Sequence, residues 1–267
     1  MANITNDEVD VVVVGLGWAG SLMSIELAQA GLKVRALERG EDRNNTDFAY
    51  PKPADQYAYG IRNKIMATPK AAAMTVRHTA NDVALPTRQW GAFEPGTGVG
   101  GSGLHWTGVL IRPTPTDIKL KTYADQAYKP GILQEDMRIG DYPFTWEEIE
   151  PFLDKFDKIC GLSGNTGNLQ GRIIEGGDPF EGPRSSAFPL PPLEDTLNCK
   201  MFADVARKMG YHPFPNPSAN VSQAWTNPYG NQIAPCNYCG YCSKYPCLNY
   251  SKASPQTAVL DSLKRME

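Results

Sequence analysis

The sequence predicts an α/β protein that begins with a parallel βαβ unit and continues into an irregular α+β extension and a cysteine-rich loop. Three observations support this prediction: a β-branched run that leads directly into a glycine-rich turn, a second glycine-rich stretch further along, and four cysteines within twelve residues. The chain has 267 residues, of which 41% are hydrophobic and 21% charged. This composition is typical of a globular protein.

The βαβ unit is predicted from the first forty residues. Val11–Val14 form a continuous β-branched run, which is typical of a buried parallel strand. The sequence GLGWAG follows at once, and SLMSIELAQA then predicts a helix that ends at Gly31. The next strand is predicted over residues 32–37 and closes on Glu38.

The first glycine-rich turn has the spacing of a dinucleotide-binding site. Gly15 permits the tight turn out of the strand, Gly17 lets a pyrophosphate approach the backbone, and Gly20 lets helix and strand pack closely. The helix N-terminus offers N–H groups to the phosphates. Glu38 stands where a carboxylate accepts hydrogen bonds from ribose hydroxyls. The alternative is a tight strand–helix turn in an ordinary α/β protein. The position of this glycine-rich turn at the start of the chain favours FAD over NAD as the bound dinucleotide.

Two helices and three segments are predicted along the chain. Thr145 and Glu148 have the spacing of a capping box, so we expect a helix over 146–160. A second helix is predicted over 197–209, between coil at 161–195 and proline-rich extended chain. We expect a cofactor-binding domain over 1–120, an extension over 121–234 that contributes to the substrate or subunit region, and the cysteine loop over 235–267.

The cysteine loop has the spacing Cys236-x2-Cys239-x2-Cys242-x4-Cys247. Its first three cysteines match the start of the ferredoxin pattern, which predicts an iron–sulfur cluster. Four ligands would hold a [4Fe–4S] cluster, and three would hold a [3Fe–4S] cluster. A four-cysteine zinc site is the second interpretation and disulfides are the third. The two other cysteines, at 160 and 199, are expected to be buried thiols.

The second glycine-rich stretch, GTGVGGSGLHWTG at 96–108, resembles the glucose–methanol–choline oxidoreductase family. The resemblance implies that Gly100, Gly101 and Ser102 hold the FAD pyrophosphate, and that the backbone of Gly108–Val109 lies near the flavin ring. The "HW" after the glycines resembles the branch that includes pyranose oxidase, in which this histidine is bonded to the flavin. His105 is therefore a candidate for covalent attachment, and packing without a bond is the alternative.

Residues 141–171, 178–193 and 227–242 extend the resemblance to the flavoprotein subunits of membrane-associated gluconate 2-dehydrogenases. This implies an FAD-dependent dehydrogenase that oxidises a CH–OH group of a sugar or sugar acid, such as gluconate. Electrons would pass through the iron–sulfur cluster to a cytochrome. The catalytic histidine is expected in a C-terminal part that family members carry, and His78 and His212 match no motif. The alternative is a non-catalytic cofactor-binding or electron-transfer half of a split or truncated enzyme.

The same resemblance implies a small signal-bearing subunit and a cytochrome c subunit as partners. The net charge of −3 and the scattered basic residues give no reason to expect nucleic acid. No apolar run approaches the roughly 20 residues that a spanning helix needs, so membrane association is expected only through partners. The polar start MANITNDEVD is unlike a secretory signal. The resemblance implies export with a partner to the periplasmic face of the inner membrane, and the cytoplasm is the alternative that the missing signal suggests.

Overall fold

The computed structural model describes residues 7–44, 47, 65–67, 75–77, 79–86, 95–243 and 245–266. It divides into two compact units. The first unit contains the described residues up to Gly108 and those from Tyr229 onward, and the second is Val109–Pro228. The three segments expected from the sequence stay predictions.

The first unit contains the βαβ arrangement that the sequence predicts. Strand β1 (Val11–Val14) leads into helix α1 (Trp18–Gln29) and then into strand β2 (Val34–Leu37). The two strands are parallel, with Val11 opposite Val34, and α1 packs against both. Gly31 has φ +86°, which is the left-handed conformation expected just beyond a helix end.

The burial of these strands differs from the prediction. Val12 and Val14 are 53% and 83% exposed, and Leu37 is 50% exposed. A β-branched run identifies a strand that can be buried on both faces, but α1 covers one face only and the sheet contains two strands in the described part of the chain. In α1 the buried residues are Ser21, Ser24 and Ile25, so the inward face of this helix is largely polar.

Short elements complete the first unit. An antiparallel pair joins Thr75–Val76 to Leu85–Pro86, and a 3-10 turn spans Gly101–Leu104. A strand at Gln232–Ile233, a π-helix at Gln256–Leu260 and a helical turn at Asp261–Leu263 follow later in the chain. The π-helix and this last turn pack against α1. Residues 251–260 are buried throughout, so this late segment supplies much of the interior of the first unit.

The second unit is organised around a long helix, α2 (Trp146–Cys160). Both halves of the predicted capping box are present, and Gly161 ends the helix at φ +64°. The second predicted helix is α3 (Leu197–Lys208), one residue shorter than expected. The predicted coil at 161–195 contains a small antiparallel hairpin. The remaining elements of this unit are short: Pro115–Ile118, Leu120–Ala127, Glu135–Met137, Asn168–Leu169, Arg172–Ile173 and Trp225–Thr226.

Charged side chains occupy the buried face of α2. Glu150 and Asp157 are 7% and 2% exposed. Their side chains point from the helix into the interior, where they contact two buried arginines. Arg112 donates to Glu150 at 2.9 Å, and both Arg112 and Arg184 form ion pairs with Asp157. The interior of this unit is therefore held by an ion network as well as by apolar packing. No helix in the described ranges is both long and apolar enough to span a bilayer.

Candidate functional site

The first glycine turn is built as a close strand-to-helix connection. Gly15 has φ +94°, and its N–H donates to the Leu37 carbonyl at 2.7 Å. A Cβ at Gly20 would lie 1.9 Å from the Gly15 carbonyl oxygen, so only glycine permits this contact between helix and turn. A Cβ at Gly17 would meet nothing within 4 Å, so the backbone there faces open space. No side chain caps the N-terminus of α1.

Glu38 lies at the end of β2, beside this turn. One carboxylate oxygen accepts from the Leu16 N–H and the other from the Gly40 N–H, each at 2.9 Å. The side chain therefore ties the glycine turn to the chain that follows β2. Each oxygen keeps a lone pair that a ribose hydroxyl could use.

The second glycine stretch meets the first. The Gly100 N–H donates to the Leu16 carbonyl at 2.8 Å, and a Cβ at Gly101 would lie 3.6 Å from the Gly17 Cα. The chain after β2 joins them, because a Cβ at Gly40 would lie 2.2 Å from the Gly98 nitrogen. The first glycine turn, the chain after β2 and the second glycine stretch thus contact one another through backbone atoms.

Ser102 closes the second stretch on itself. Its hydroxyl accepts from the Gly96 N–H at 2.8 Å, while the residue stays exposed. Gly100 and Gly101 have φ of +101° and +53°. This backbone conformation and the convergence of the three segments give a glycine-lined surface beside an uncapped helix N-terminus. Such a surface suits the pyrophosphate of a dinucleotide, so the residues present fit FAD.

His105 and Trp106 follow the 3-10 turn into the interior. His105 is 9% exposed, and its attachment to a flavin stays a prediction. The Trp106 indole N–H donates to the Ala253 carbonyl at 2.8 Å, and its ring stands edge-on to Trp18 at 6.1 Å. Trp106 is thus a packing residue that connects α1 to the late segment of the chain.

Gly108 and Val109 lie on opposite sides of the division between the units. Gly108 is buried with φ +82°, whereas Val109 is 44% exposed. Their predicted place near a flavin ring stays a prediction. His212 is exposed in the second unit, and His78 lies outside the described residues.

The four cysteines lie in one loop of the first unit and form no disulfide. Cys239 is exposed and the other three are partly buried, with Gly240 at φ +81° between two of them. Burial raises the pKa of the Cys236 thiol. The hydrogen bond from the Tyr238 N–H lowers this pKa, and the three neighbouring thiols raise it. Four thiols are a donor set that suits an iron–sulfur cluster. The described residues, which include all four, nonetheless contain no group of three or more ligands placed to hold a metal ion.

A buried lysine that no sequence pattern predicts anchors this loop. Lys252 is 1% exposed, and its ammonium donates to the carbonyls of Trp106, Cys242 and Tyr245. Desolvation lowers the pKa of Lys252 to about 8. A lysine in a polar stretch such as SKASP usually lies at the surface, so only the fold identifies this one.

A cavity of about 750 Å³ lies along α3 in the second unit. Its lining includes Asn198, Phe202, Arg207 and Phe214. None of the site residues predicted from the sequence lines this cavity. We therefore do not assign the functional site to the cavity on its volume alone. The apolar side of α3 is open to solvent: Phe202 and Val205 are exposed, as is Met209 just beyond the helix, and Ala206 is the one buried residue of the helix.

Comparison with known proteins gives several relatives, although no family model matches the chain. It is 45% identical over 262 residues to a gluconate 2-dehydrogenase flavoprotein from Pantoea cypripedii, a match that covers 97% of this chain and 43% of the relative. It is 26% identical to the fructose dehydrogenase large subunit from Gluconobacter japonicus, over 81% of this chain and 37% of that protein.

A third relative is a 2-methyl-1,2-propanediol dehydrogenase from Mycolicibacterium austroafricanum, 25% identical over 81% of this chain and 34% of that protein. The chain therefore spans less than half the length of each of these three relatives. The resemblance to the glucose–methanol–choline oxidoreductases, and among them to a gluconate 2-dehydrogenase flavoprotein, is confirmed over almost the whole of this chain.

Proposed function

We propose that this chain forms the FAD-binding part of a dehydrogenase that oxidises a CH–OH group of a sugar or sugar acid, gluconate being the first candidate. The observation that carries the proposal is the convergence of the two glycine stretches, where Gly100 donates to Leu16 and Gly101 approaches Gly17. The similarity to a relative named as a gluconate 2-dehydrogenase flavoprotein supports the substrate class.

The chain's own residues would bind and orient the cofactor. The backbone at Gly17 and Gly101 would receive the pyrophosphate, and Glu38 would accept from the adenosine ribose. A bound flavin would supply the acceptor for the hydride that leaves the substrate carbon. The group that removes the hydroxyl proton is not assigned to any residue of this chain.

We further propose that the cysteine loop holds an iron–sulfur cluster and passes electrons singly to a cytochrome-type acceptor. The spacing of Cys236, Cys239 and Cys242 supports this role. A small signal-bearing subunit and a cytochrome c subunit at the periplasmic face of the inner membrane belong to the same proposal.

The test is reduction of the bound flavin by substrate. Full-length protein purified with its flavin should lose its yellow absorbance when gluconate is added without oxygen, and a non-oxidisable sugar acid analogue should leave it unchanged. Flavin that binds but is reduced by none of a panel of sugars and sugar acids would favour the alternative, a non-catalytic cofactor-binding half.

The role of His105 is tested on the same preparation. If a covalent bond exists, acid-precipitated protein keeps a yellow, fluorescent flavin, and His105→Ala releases it. Complete extraction of flavin from the unmodified protein would rule out the bond and leave His105 as a packing residue.

A further inference from the structure

Lys252 places a buried positive charge between two segments that both matter to the proposed function. Its ammonium donates to the Trp106 carbonyl at 2.5 Å, on the segment that follows the second glycine stretch. It also donates to the carbonyls of Cys242 at 2.8 Å and Tyr245 at 2.7 Å, inside the cysteine loop. All three donor positions of the ammonium are therefore used on backbone oxygens.

The neighbouring contacts make this connection specific. The Trp106 indole N–H donates to the carbonyl of Ala253, the residue after Lys252. The base of the cysteine loop is closed at the Pro235 carbonyl, which accepts from Asn249 and from Ser251, both at 2.8 Å. Segment 249–253 thus holds the cysteine loop on one side and the histidine–tryptophan segment on the other.

The charge of Lys252 has no carboxylate partner among the described residues. Its hydrogen bonds go to carbonyl oxygens alone, and the side chain is 1% exposed. A buried ammonium costs free energy unless an anion lies close to it. The loop that it holds carries four thiols, which become anionic when they ligate a metal or a cluster.

We propose that Lys252 is a positioning residue that clamps the cysteine loop to the His105–Trp106 segment and supplies the counter-charge for an anionic metal–thiolate centre in that loop. The clamp is independent of any cofactor, whereas the counter-charge rests on the proposed function. The clamp would fix the separation between the flavin site and the cysteine loop.

Amide hydrogen exchange tests the clamp in the full-length protein. In Lys252→Met the amides of 236–247 and of 102–108 should both exchange about ten- to a hundredfold faster, because three hydrogen bonds to a charged donor are lost. Lys252→Arg should restore much of the protection, since it keeps both charge and donors. Lys33→Met, an exposed lysine of the same unit, is the matched control and should change neither segment.

Faster exchange confined to 236–247 would overturn the clamp, because the second segment would then be held by other contacts. Unchanged exchange in both segments would overturn it as well. If Lys252→Met does not fold, native-state exchange of the unmodified protein decides. The two segments should open with the same free energy and the same denaturant dependence, and different values would contradict the clamp.

The counter-charge is tested by the reduction potential of the iron–sulfur centre. Lys252→Met should shift the midpoint potential downward, since a buried cation favours the reduced, more negative form, and Lys252→Arg should keep it near the original value. An unshifted potential in folded, cluster-loaded Lys252→Met would overturn the counter-charge. Unmodified protein that binds no iron or sulfide under anaerobic reconstitution would contradict the proposed cluster and the counter-charge, while the exchange measurement still decides the clamp.

Discussion

Glu38 shows how one side chain can serve the fold and the proposed cofactor together. Its two carboxylate oxygens accept from the N–H of Leu16, within the glycine turn, and from that of Gly40, beyond the end of β2. These bonds hold the turn in the conformation that brings Gly17 close to Gly101. The carboxylate therefore shapes the site besides offering an acceptor to a ribose.

We predict that Glu38→Ala weakens FAD retention by about 1.5–3 kcal/mol, the value of a hydrogen bond to a charged group. Asp10→Ala is the matched control, because Asp10 also accepts a backbone N–H, from Lys33 at 2.8 Å, near the other end of the strand pair. Equilibrium titration of apoprotein with FAD measures both. Equal affinity in Glu38→Ala and in the unmodified protein would count against the cradle.

The glycines of the site were predictable from the sequence because their spacing reflects backbone geometry, which is local. Gly15 and Gly20 lie where the fingerprint requires, and the contact between Gly20 and Gly15 excludes any side chain. Lys252 and Glu150 were not predictable in the same way. Their burial depends on carbonyls and arginines distant in sequence, and no local pattern marks those contacts.

At the scale of single elements, helix α2 depends on a buried carboxylate. Glu150 accepts from Arg112 and from the Ser185 backbone N–H, both at 2.9 Å. Glu150→Gln should lower the free energy of unfolding by about 1.5–3 kcal/mol, because charged hydrogen bonds are lost in the interior. The control is Asp204→Asn on α3, whose pair with Arg207 is 60–67% exposed and should contribute less than about 1 kcal/mol. Urea unfolding of both variants measures the difference.

The same network predicts loss of stability in acid. Burial opposes ionisation of Glu150 and of Asp154, which lies 3.9 Å from Arg112 in this network, but hydrogen bonds and nearby cations outweigh burial and lower the pKa of both. A carboxyl whose pKa is lower in the folded state contributes stability above its unfolded pKa and loses it as the pH falls through the folded value. Burial raises the pKa of Asp157, which offsets part of this loss. We expect stability to decline below about pH 4, and urea titrations between pH 7 and pH 3 should show it; a flat profile would contradict the assignment.

The cysteine loop yields a prediction at the same scale. Replacing Cys236, Cys239 or Cys242 by Ser should abolish the brown absorbance of a cluster while flavin binding survives. Cys247→Ser separates the two cluster types, since only a [4Fe–4S] cluster needs the fourth ligand. Cys199→Ser, at an exposed position on α3, is the control and should change nothing. A full iron and sulfide content in Cys239→Ser would contradict the ligand assignment.

The sequence predicted the bounds of helices better than it predicted which faces of the helices and strands are buried. The predicted bounds of α2 were correct because a capping box begins the helix and a glycine ends it, and both are local sequence signals. The 83% exposure of Val14 was not predictable, because a β-branched run indicates a strand and does not show what covers its two faces.

For the molecule as a whole, both proposed cofactor sites lie in the first unit. The glycine stretches and the cysteine loop belong to it, and Lys252 links the segment after the second glycine stretch to the loop by donating to the carbonyls of Trp106 and Cys242. The second unit contributes the ion network and the cavity along α3. We therefore expect changes in the second unit to affect stability or partner binding more than cofactor content.

We propose that one unit of this chain holds both a flavin and an iron–sulfur centre. The most direct measurement is the cofactor content of full-length protein purified without oxygen, read as flavin, iron, acid-labile sulfide and zinc per chain. We predict about one FAD together with about three or four irons and matching sulfide. Protein without flavin, or protein with about one zinc per chain and no sulfide, would contradict the claim.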